Sequence, residues 1–319
     1  YYPDTYYAYG GNSPKRNPGR GAKGQMRGAR DWLKRVVGVL HYRYEHLAPQ
    51  RQRDLSRGPV GAVARLATRP LTRRLSFLPP WHPNGKALDV GCGDGRFLDW
   101  LRTWGWDTYG VEISGAAVER ARQRGHTVRT ERIEDAPFAP GSFGHIRLNH
   151  VLEHLPDPLR SLRRIRQLMA PGGSLFIEVP NADAVAAWLY GHCWLGWDVP
   201  RHLYTFNCAT LKPLLALAGF TEVRLRTWPG TTSWLTSCEW RFGLAEATVW
   251  RLNRYGLLKA LLNCILSPAD LVRRGDLIRA WATISEYDGD VAHQIVDANG
   301  DQNRPHVRRR RANDRSDRS

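Results

Sequence analysis

Residues 86–112 read KALDVGCGDGRFLDWLRTWGWDTYGVE, and few folds accommodate such a stretch. Ala87, Leu88 and Val90 make a short apolar run, the mark of a buried strand. The run ends in Gly91-Cys92-Gly93-Asp94-Gly95, after which Phe97, Leu98, Leu101 and Trp104 recur at helical spacing. A strand, a glycine turn and a helix therefore follow one another. The glycines let the chain turn sharply and leave its backbone bare. The helix N-terminus offers unpaired N–H groups to an anionic or carboxylate-bearing ligand. A second apolar strand, Thr108 to Val111, ends in Glu112, 21 residues after Gly91. A carboxylate at that place can accept hydrogen bonds from ribose hydroxyls. The stretch predicts a nucleotide-type cofactor at the carboxyl ends of these strands. A strand–turn–helix junction that binds nothing is the plainer alternative.

The rest of the core alternates strand and helix, the pattern of a parallel sheet. Strands are expected at 86–90, 108–112, 127–129, 145–149, 174–179 and 221–227, with a last one at 276–283. Helices are expected at 96–104, 114–124, 158–169 and 209–218, with Ser114 as N-cap and Gly125 as a stop. The fold class that follows is α/β, a Rossmann-like, doubly wound, seven-stranded and mostly parallel sheet with an antiparallel last strand. N-terminal helices at 30–44 and 60–75 precede it. The first carries an apolar stripe of Trp32, Leu33, Val36, Val37 and Leu40. Their basic, apolar-striped surface suits packing on the main domain, a cover over the substrate mouth, or a membrane surface. A Trp-bearing helical insert, 234–272, sits before the last strand; it is too short and interrupted to span a bilayer. The expected division is a basic N-terminal segment (1–80), a catalytic domain (81–287) and a polar, basic, disordered tail (288–319). Residues 14–28 read as a linker.

Charge is placed unevenly. The chain carries 47 Lys/Arg against 30 Asp/Glu, a formal +17. Residues 14–80 hold 16 basic against 3 acidic residues, and residues 305–319 hold 6 against 2. The body between them is close to neutral. Basic flanks suit phospholipid, nucleic acid or a nucleotide sugar, or serve as solvated arms. The five cysteines are scattered, with no CxxC pair, so neither a zinc site nor a disulfide framework is expected, and a reducing cytosol fits. No metal is called for by ligand spacing. The chain opens on Tyr1 rather than Met, as a fragment or processed chain would, and shows no secretory signal pattern.

GxGxG with Asp89 two residues before Gly91 resembles motif I of the class I S-adenosylmethionine-dependent methyltransferases. The nicotinamide fingerprint GxGxxG fits less well, because Arg96 fills the third-glycine slot. Four further stretches resemble the same superfamily in its order: YGVEIS (109–114), RIEDAPF (132–138), FGHIRLNHVLEHLPDP (143–158) and LMAPGGSLFIEVPN (168–181). The resemblance implies S-adenosyl-L-methionine as cofactor. It implies cofactor contacts at Asp89, Gly91, Cys92, Gly93, Gly95, Glu112, Ile113, Ile133, Glu134, Asn149 and His150, with Asp135 beside them. Relatives usually carry Asp where Gly144 stands, and Arg147 and His145 make the fourth strand unusually polar. WDVPRHLYTFN (197–207) resembles a D-x-P-R-H-L element of a bacterial subgroup that modifies cell-surface saccharides and other small molecules, and YYPDTYY resembles that subgroup's opening.

The implied reaction is methyl transfer to a small-molecule or saccharide acceptor by in-line displacement, in which the protein aligns partners and excludes water. A hydroxyl acceptor would also need a base. His202 is the first candidate, with Asp198 and Arg201 as holders of a hydroxyl or phosphate; a structural histidine and an internal salt bridge are the alternatives. His154 is assigned a structural or cofactor-side role. The rival class is a nucleic-acid-binding or RNA-methylating protein using the basic flanks, tested by salt dependence. A cytoplasmic or membrane-peripheral location is expected.

Overall fold

The computed structural model describes residues 22–48, 53, 56, 58–75, 77–243 and 256–284. At its centre are seven strands: β1 (Lys86–Val90), β2 (Asp107–Val111), β3 (Thr127–Arg129), β4 (Phe143–Asn149), β5 (Met169–Pro180), β6 (Arg224–Trp228) and β7 (Leu277–Thr283). Their order across the sheet is β3-β2-β1-β4-β5-β7-β6. β1 to β5 run parallel, and β7 lies antiparallel between β5 and β6. The last strand in sequence is thus an interior strand in space. This is the Rossmann-like sheet that the strand–helix alternation predicts.

Both faces are covered, as a parallel sheet requires. On one face, Ile146, Leu148, Leu175 and Ile177 pack with Leu162, Ile165 and Leu168 of helix α5 (Pro158–Leu168) and with Leu211 and Leu215 of helix α7 (Cys208–Leu217). On the other, Cys92 and Leu98 of helix α3 (Arg96–Arg102) meet Val118 and Ala121 of helix α4 (Gly115–Gln123). Helix α4 starts where its sequence says it should: the Ser114 side chain accepts from Ala117 N–H.

The N-terminal helices, α1 (Ala22–Tyr42) and α2 (Gly58–Thr68), pack on the domain. Helix α1 begins at Ala22, so the second half of the expected linker is helical. Val37, Tyr44, Leu75 and Leu78 bury against Ala87, Leu101, Trp104 and Trp106. These contacts gather where β1 and β2 begin, away from the carboxyl ends of the strands. Buried Tyr44 ties the layer together: its hydroxyl accepts from Trp106 Nε1 at 2.8 Å and donates to Pro79 O at 2.9 Å. Trp32 and Leu33 are exposed, because the buried face of α1 starts a turn later. The second expected helix is α-helical only to Thr68 and tightens to a 3-10 helix over Arg69–Leu75.

β5 begins at Met169 rather than Ser174. Phe143 pairs with Met169 and His145 with Ser174, so the Pro171-Gly172-Gly173 turn bulges out between two paired segments. A short helix absent from the sequence expectation, α6 (Val185–Tyr190), builds its own small core from Ala184, Ala186, Ala187, Tyr190 and Trp194. Among the described residues, the insert includes α8 (Thr231–Phe242) and α9 (Gly256–Leu271), and Trp234 and Cys238 pack on that core. Among the described residues, no helix is long and apolar enough to cross a membrane. The Tyr-rich start, Trp250 and the Arg-rich tail lie outside the described residues.

Candidate active site

The glycine turn after β1 opens into a cavity of about 820 Å³ at the carboxyl ends of β1, β2, β4 and β5. That size is within the roughly 300–1,000 Å³ usual for cofactor sites. Gly91 turns the chain at φ +70°, and its N–H donates to Val111 O at 2.7 Å. A Cβ on Gly91 would stand 2.4 Å from Val151 Cγ2, so only glycine fits. At the tip of β2, the Glu112 carboxylate joins two parts of the site. Oε2 accepts from Gly93 N–H at 3.0 Å and Oε1 from Ser114 N–H at 2.9 Å. Each oxygen has a second lone pair, and the side chain lines the cavity. The crevice is open, and Glu112 faces it.

Beneath the turn, Asp89 is 1 % exposed and pairs with Arg147 Nη1 at 2.8 Å. The two residues are register partners on β1 and β4. The guanidinium also lies 3.8 Å from the centroid of the Phe97 ring, a cation–π contact. Burial pushes the Asp89 carboxyl up, and Arg147 holds it partly back. The polar fourth strand thus has a physical basis. His145 is also accounted for. It contacts Ser174 O and Oγ through Nδ1, and burial, then Arg147, pushes its pKa down to about 3, so the ring is neutral. Gly144 is held by packing: a Cβ there would lie 2.5 Å from the His82 side chain. Cys92 is buried, and burial together with Asp89 and Glu112 raises its thiol pKa, which disfavours the thiolate.

The other end of the cavity is ionic. His150 sits at φ +54°, with Nδ1 3.4 Å from Glu153 Oε1 and Nε2 3.6 Å from Glu178 Oε1. Burial opposes its charge, but the two carboxylates outweigh burial and push its pKa up to about 10. Glu178 is desolvated too, yet His150 and Arg279 hold it down at about 2. Arg279 reaches Glu178 from β7 and stacks 4.3 Å from the Trp228 ring centroid. The long way round the sheet to β7 therefore delivers a cation to the site.

The segment 194–206 closes this end. Leu203 and Tyr204 N–H both donate to Glu153 O, at 2.9 and 3.2 Å. His154 Nδ1 bonds Arg201 O at 2.9 Å, and His202 Nδ1 bonds Gly196 O at 2.7 Å. Each ring donates its Nδ1–H to a main-chain carbonyl, which fixes its orientation. Asp198, at φ +32°, forms an ion pair with Arg201. His202 and Asp198 line the cavity, whereas Arg201 is turned onto Asp198 and does not. Of the expected cofactor residues, Asp89, Gly91, Cys92, Gly93, Glu112, Ile113, Ile133, Glu134, Asn149 and His150 all line the one cavity. Gly95 does not: it precedes α3 at φ +80° and packs toward His126 and Ala121. Asp135 also lies off the lining, whereas Glu131 and Arg132 are part of it.

Several lining residues escaped the sequence reading. Glu153 and Glu178 are acids inside apolar stretches, a signal that could have found them. Trp194, Trp228, Asp276 and Arg279 carried no such signal, because they reach the cavity from the late chain.

A family profile described as "Methyltransferase domain" matches residues 63–225. A ubiquinone biosynthesis O-methyltransferase of Methylococcus capsulatus is 34% identical over 130 residues, 38% of this chain and 55% of that protein. The protein of the same name from Xanthomonas campestris pv. campestris is 33% identical over 113 residues, 33% of this chain and 46% of the other. The chain spans about half the length of these curated relatives. A solved SAM-dependent methyltransferase from Archaeoglobus fulgidus matches at 18% identity, covering 68% of this chain and 92% of that one, with a TM-score of 0.45.

Proposed function

Since the chain belongs to the methyltransferase-domain family, we propose that it is an S-adenosylmethionine-dependent methyltransferase acting on a hydroxyl oxygen of a small ring-bearing acceptor. One observation carries this: Glu112 and the bare Gly91–Gly93 turn face a single open cavity, with Glu112 pinned by two backbone N–H groups and still able to accept. The residues fit the cofactor. Glu112 would take the ribose hydroxyls. Ile113 and Ile133 would flank the adenine, with Glu134 at its rim, and Asn149 and His150 would border the amino-acid part. When bound, the cofactor supplies an activated sulfonium methyl group open to attack by the acceptor oxygen.

The chain's own part is to orient and to dry the site. Trp194, Leu195, Trp228, Pro229 and Leu277 form apolar walls at the far end, with Asp276, Asn263 and Arg279 among them. Aromatic and apolar side chains beside a few polar groups suit a flat hydroxylated ring. The O-methyltransferase names of the curated relatives support a hydroxyl acceptor, and a saccharide acceptor is the variant to test beside a phenolic one. His202 lines the cavity with its Nδ1–H committed to Gly196 O, which supports it as the group that would act on that hydroxyl.

The test is calorimetry with S-adenosylhomocysteine, followed by methyl transfer from labelled cofactor to phenolic and saccharide acceptors. Wild-type protein should bind S-adenosylhomocysteine, and Glu112→Ala should abolish or greatly weaken that binding. Failure of folded wild-type protein to bind would overturn the proposal.

A further inference from the structure

We infer that Asp276, at the entry to β7, is the base that takes the proton from the acceptor hydroxyl. The inference rests on the methyltransferase reading for its reaction, but its geometry comes from a part of the chain remote from the glycine turn. Leu277 pairs with Pro180, the last residue of β5, and Asn181 N–H donates to Asp276 O at 2.8 Å. Asp276 therefore stands just beyond the carboxyl end of β5, on the rim where β1, β2 and β4 present the cofactor residues. It lines the cavity beside Trp228, Pro229 and Leu277. A hydroxylated ring held by those walls has the Asp276 carboxyl as a neighbour.

That carboxyl lacks one hydrogen bond. Asp276 is 2 % exposed. Trp234 Nε1–H donates to Oδ1 at 3.0 Å, and Oδ2 meets no partner among the described residues. A buried oxygen left bare is costly, so a ligand that brings a donor gains by supplying the missing bond. An acceptor O–H is such a donor. Gly230 leaves the carboxyl its room: a Cβ there would stand 2.7 Å from Asp276 Cβ and 2.8 Å from Oδ2. The terminal torsion of an aspartate is broad and two-fold, so a modest rotation presents one oxygen to the cavity while the indole keeps the other. His202 is more fully engaged. Its Nδ1–H is bonded to Gly196 O, and Nε2 lies 3.9 Å from Asp198 Oδ2 and 4.0 Å from Glu153 Oε1.

The surroundings suit proton transfer. Burial raises the Asp276 pKa to about 7; Ser233 and Trp234 of α8 hold back part of the rise, and Asp270 of α9 adds to it. Tyr190 of α6 and Cys238 of α8 lie in the same electrostatic neighbourhood. Arg279, further along β7, is paired with Glu178. A base whose pKa lies near neutrality is both ionised and able to hold the proton it takes. In the step, the hydroxyl proton passes to a carboxylate oxygen of Asp276. The hydroxyl oxygen forms its bond to the methyl carbon as the sulfur–carbon bond breaks, and that electron pair stays on sulfur. The proton leaves to water once the product departs. On this assignment His202 contacts the hydroxyl and Asp276 removes its proton.

The test uses the full chain, ¹³C-labelled at its aspartate carboxyl carbons, with Asp276→Asn and His202→Gln alongside. Carbon NMR should show a carboxyl signal that titrates near pH 7 and is missing from Asp276→Asn. That signal should shift when 4-nitrophenol or methyl β-glucoside is added, with or without S-adenosylhomocysteine. Methyl transfer to the probe that shifts it should fall by at least about 100-fold in Asp276→Asn. The wild-type rate should drop as pH falls through about 7, and Asp276→Asn should lose that limb while His202→Gln keeps it. S-adenosylhomocysteine calorimetry should give Asp276→Asn the wild-type affinity, which shows that it is folded. A signal that neither probe moves overturns the base, as does an Asp276→Asn rate equal to wild type or a limb that only His202→Gln removes. Cofactor binding with a silent Asp276 would sink the base alone. A probe-sensitive Asp276 without cofactor binding would sustain the hydroxyl-binding carboxyl and overturn the methyltransferase reading.

Discussion

Replacing one partner of the Asp89–Arg147 pair should cost far more than replacing both. Asp89 is 1 % exposed, and the Arg147 side chain 13 %. Little of either group reaches solvent that could replace a lost partner. Breaking such a buried pair from one side costs about 3–5 kcal/mol, whereas removing both charges is often neutral. Arg147→Met keeps an apolar stem over the Phe97 ring and deletes only the cation, whose stacking adds about 0.5–2 kcal/mol. Asp89→Asn keeps the shape and deletes the anion. In urea unfolding at pH 8 each single variant should lose about 3–5 kcal/mol, and the double variant much less than the sum.

The Arg147→Met penalty should also depend on pH. Without the guanidinium, burial raises the Asp89 pKa in the folded state well above its unfolded value. A group raised in this way contributes stability that is full below the unfolded pKa and is lost as pH rises through the folded one. The deficit against wild type should therefore be larger at pH 8 than at pH 5. Strictly additive single and double variants, or a deficit equal at both pH values, would refute the claim that the pair carries this strand junction.

Three further outcomes follow from the same geometry. Glu112→Gln places an amide NH₂ against either Gly93 or Ser114 N–H and removes a charged acceptor. A charged hydrogen bond is worth about 1.5–3 kcal/mol, so loss of one should lower S-adenosylhomocysteine affinity by about 10–150-fold in calorimetry. Gly144→Ala drives a methyl group to within 2.5 Å of the His82 Cβ and ring; thermal denaturation should show a loss of about 1–3 kcal/mol, which His82→Ala leaves in large part because it keeps the Cβ and which His82→Gly relieves. Asp276 is pushed up by burial from 3.8 to about 7, so its contribution is full below pH 4 and is lost as pH rises through 7. Asp276→Asn keeps an acceptor for Trp234 Nε1–H and should be more stable than wild type at pH 8.5 and not at pH 5, by chemical denaturation.

What the amino-acid order settles by itself is local. The glycine turn after β1, the carboxylate ending β2, the Ser114 cap and the strand–helix alternation each need only a window of a few residues, since turn chemistry and the periods of 2 and 3.6 act over that range. Even the oddities showed: Arg147 and His145 stood out as polar residues in an apolar strand. What they paired with did not, because Asp89 becomes the partner of Arg147 only through the register of β1 on β4. The same holds for Gly144, which makes room for a His82 that the chain brings back from before β1, and for β7, which enters between β5 and β6 and carries Arg279 to Glu178. Glu153 and His202 are neighbours because main-chain bonds join two loops far apart in sequence. Sheet register and loop closure are properties of the assembled chain; a side chain's burial, charge and ligand options depend on what those long-range contacts place beside it.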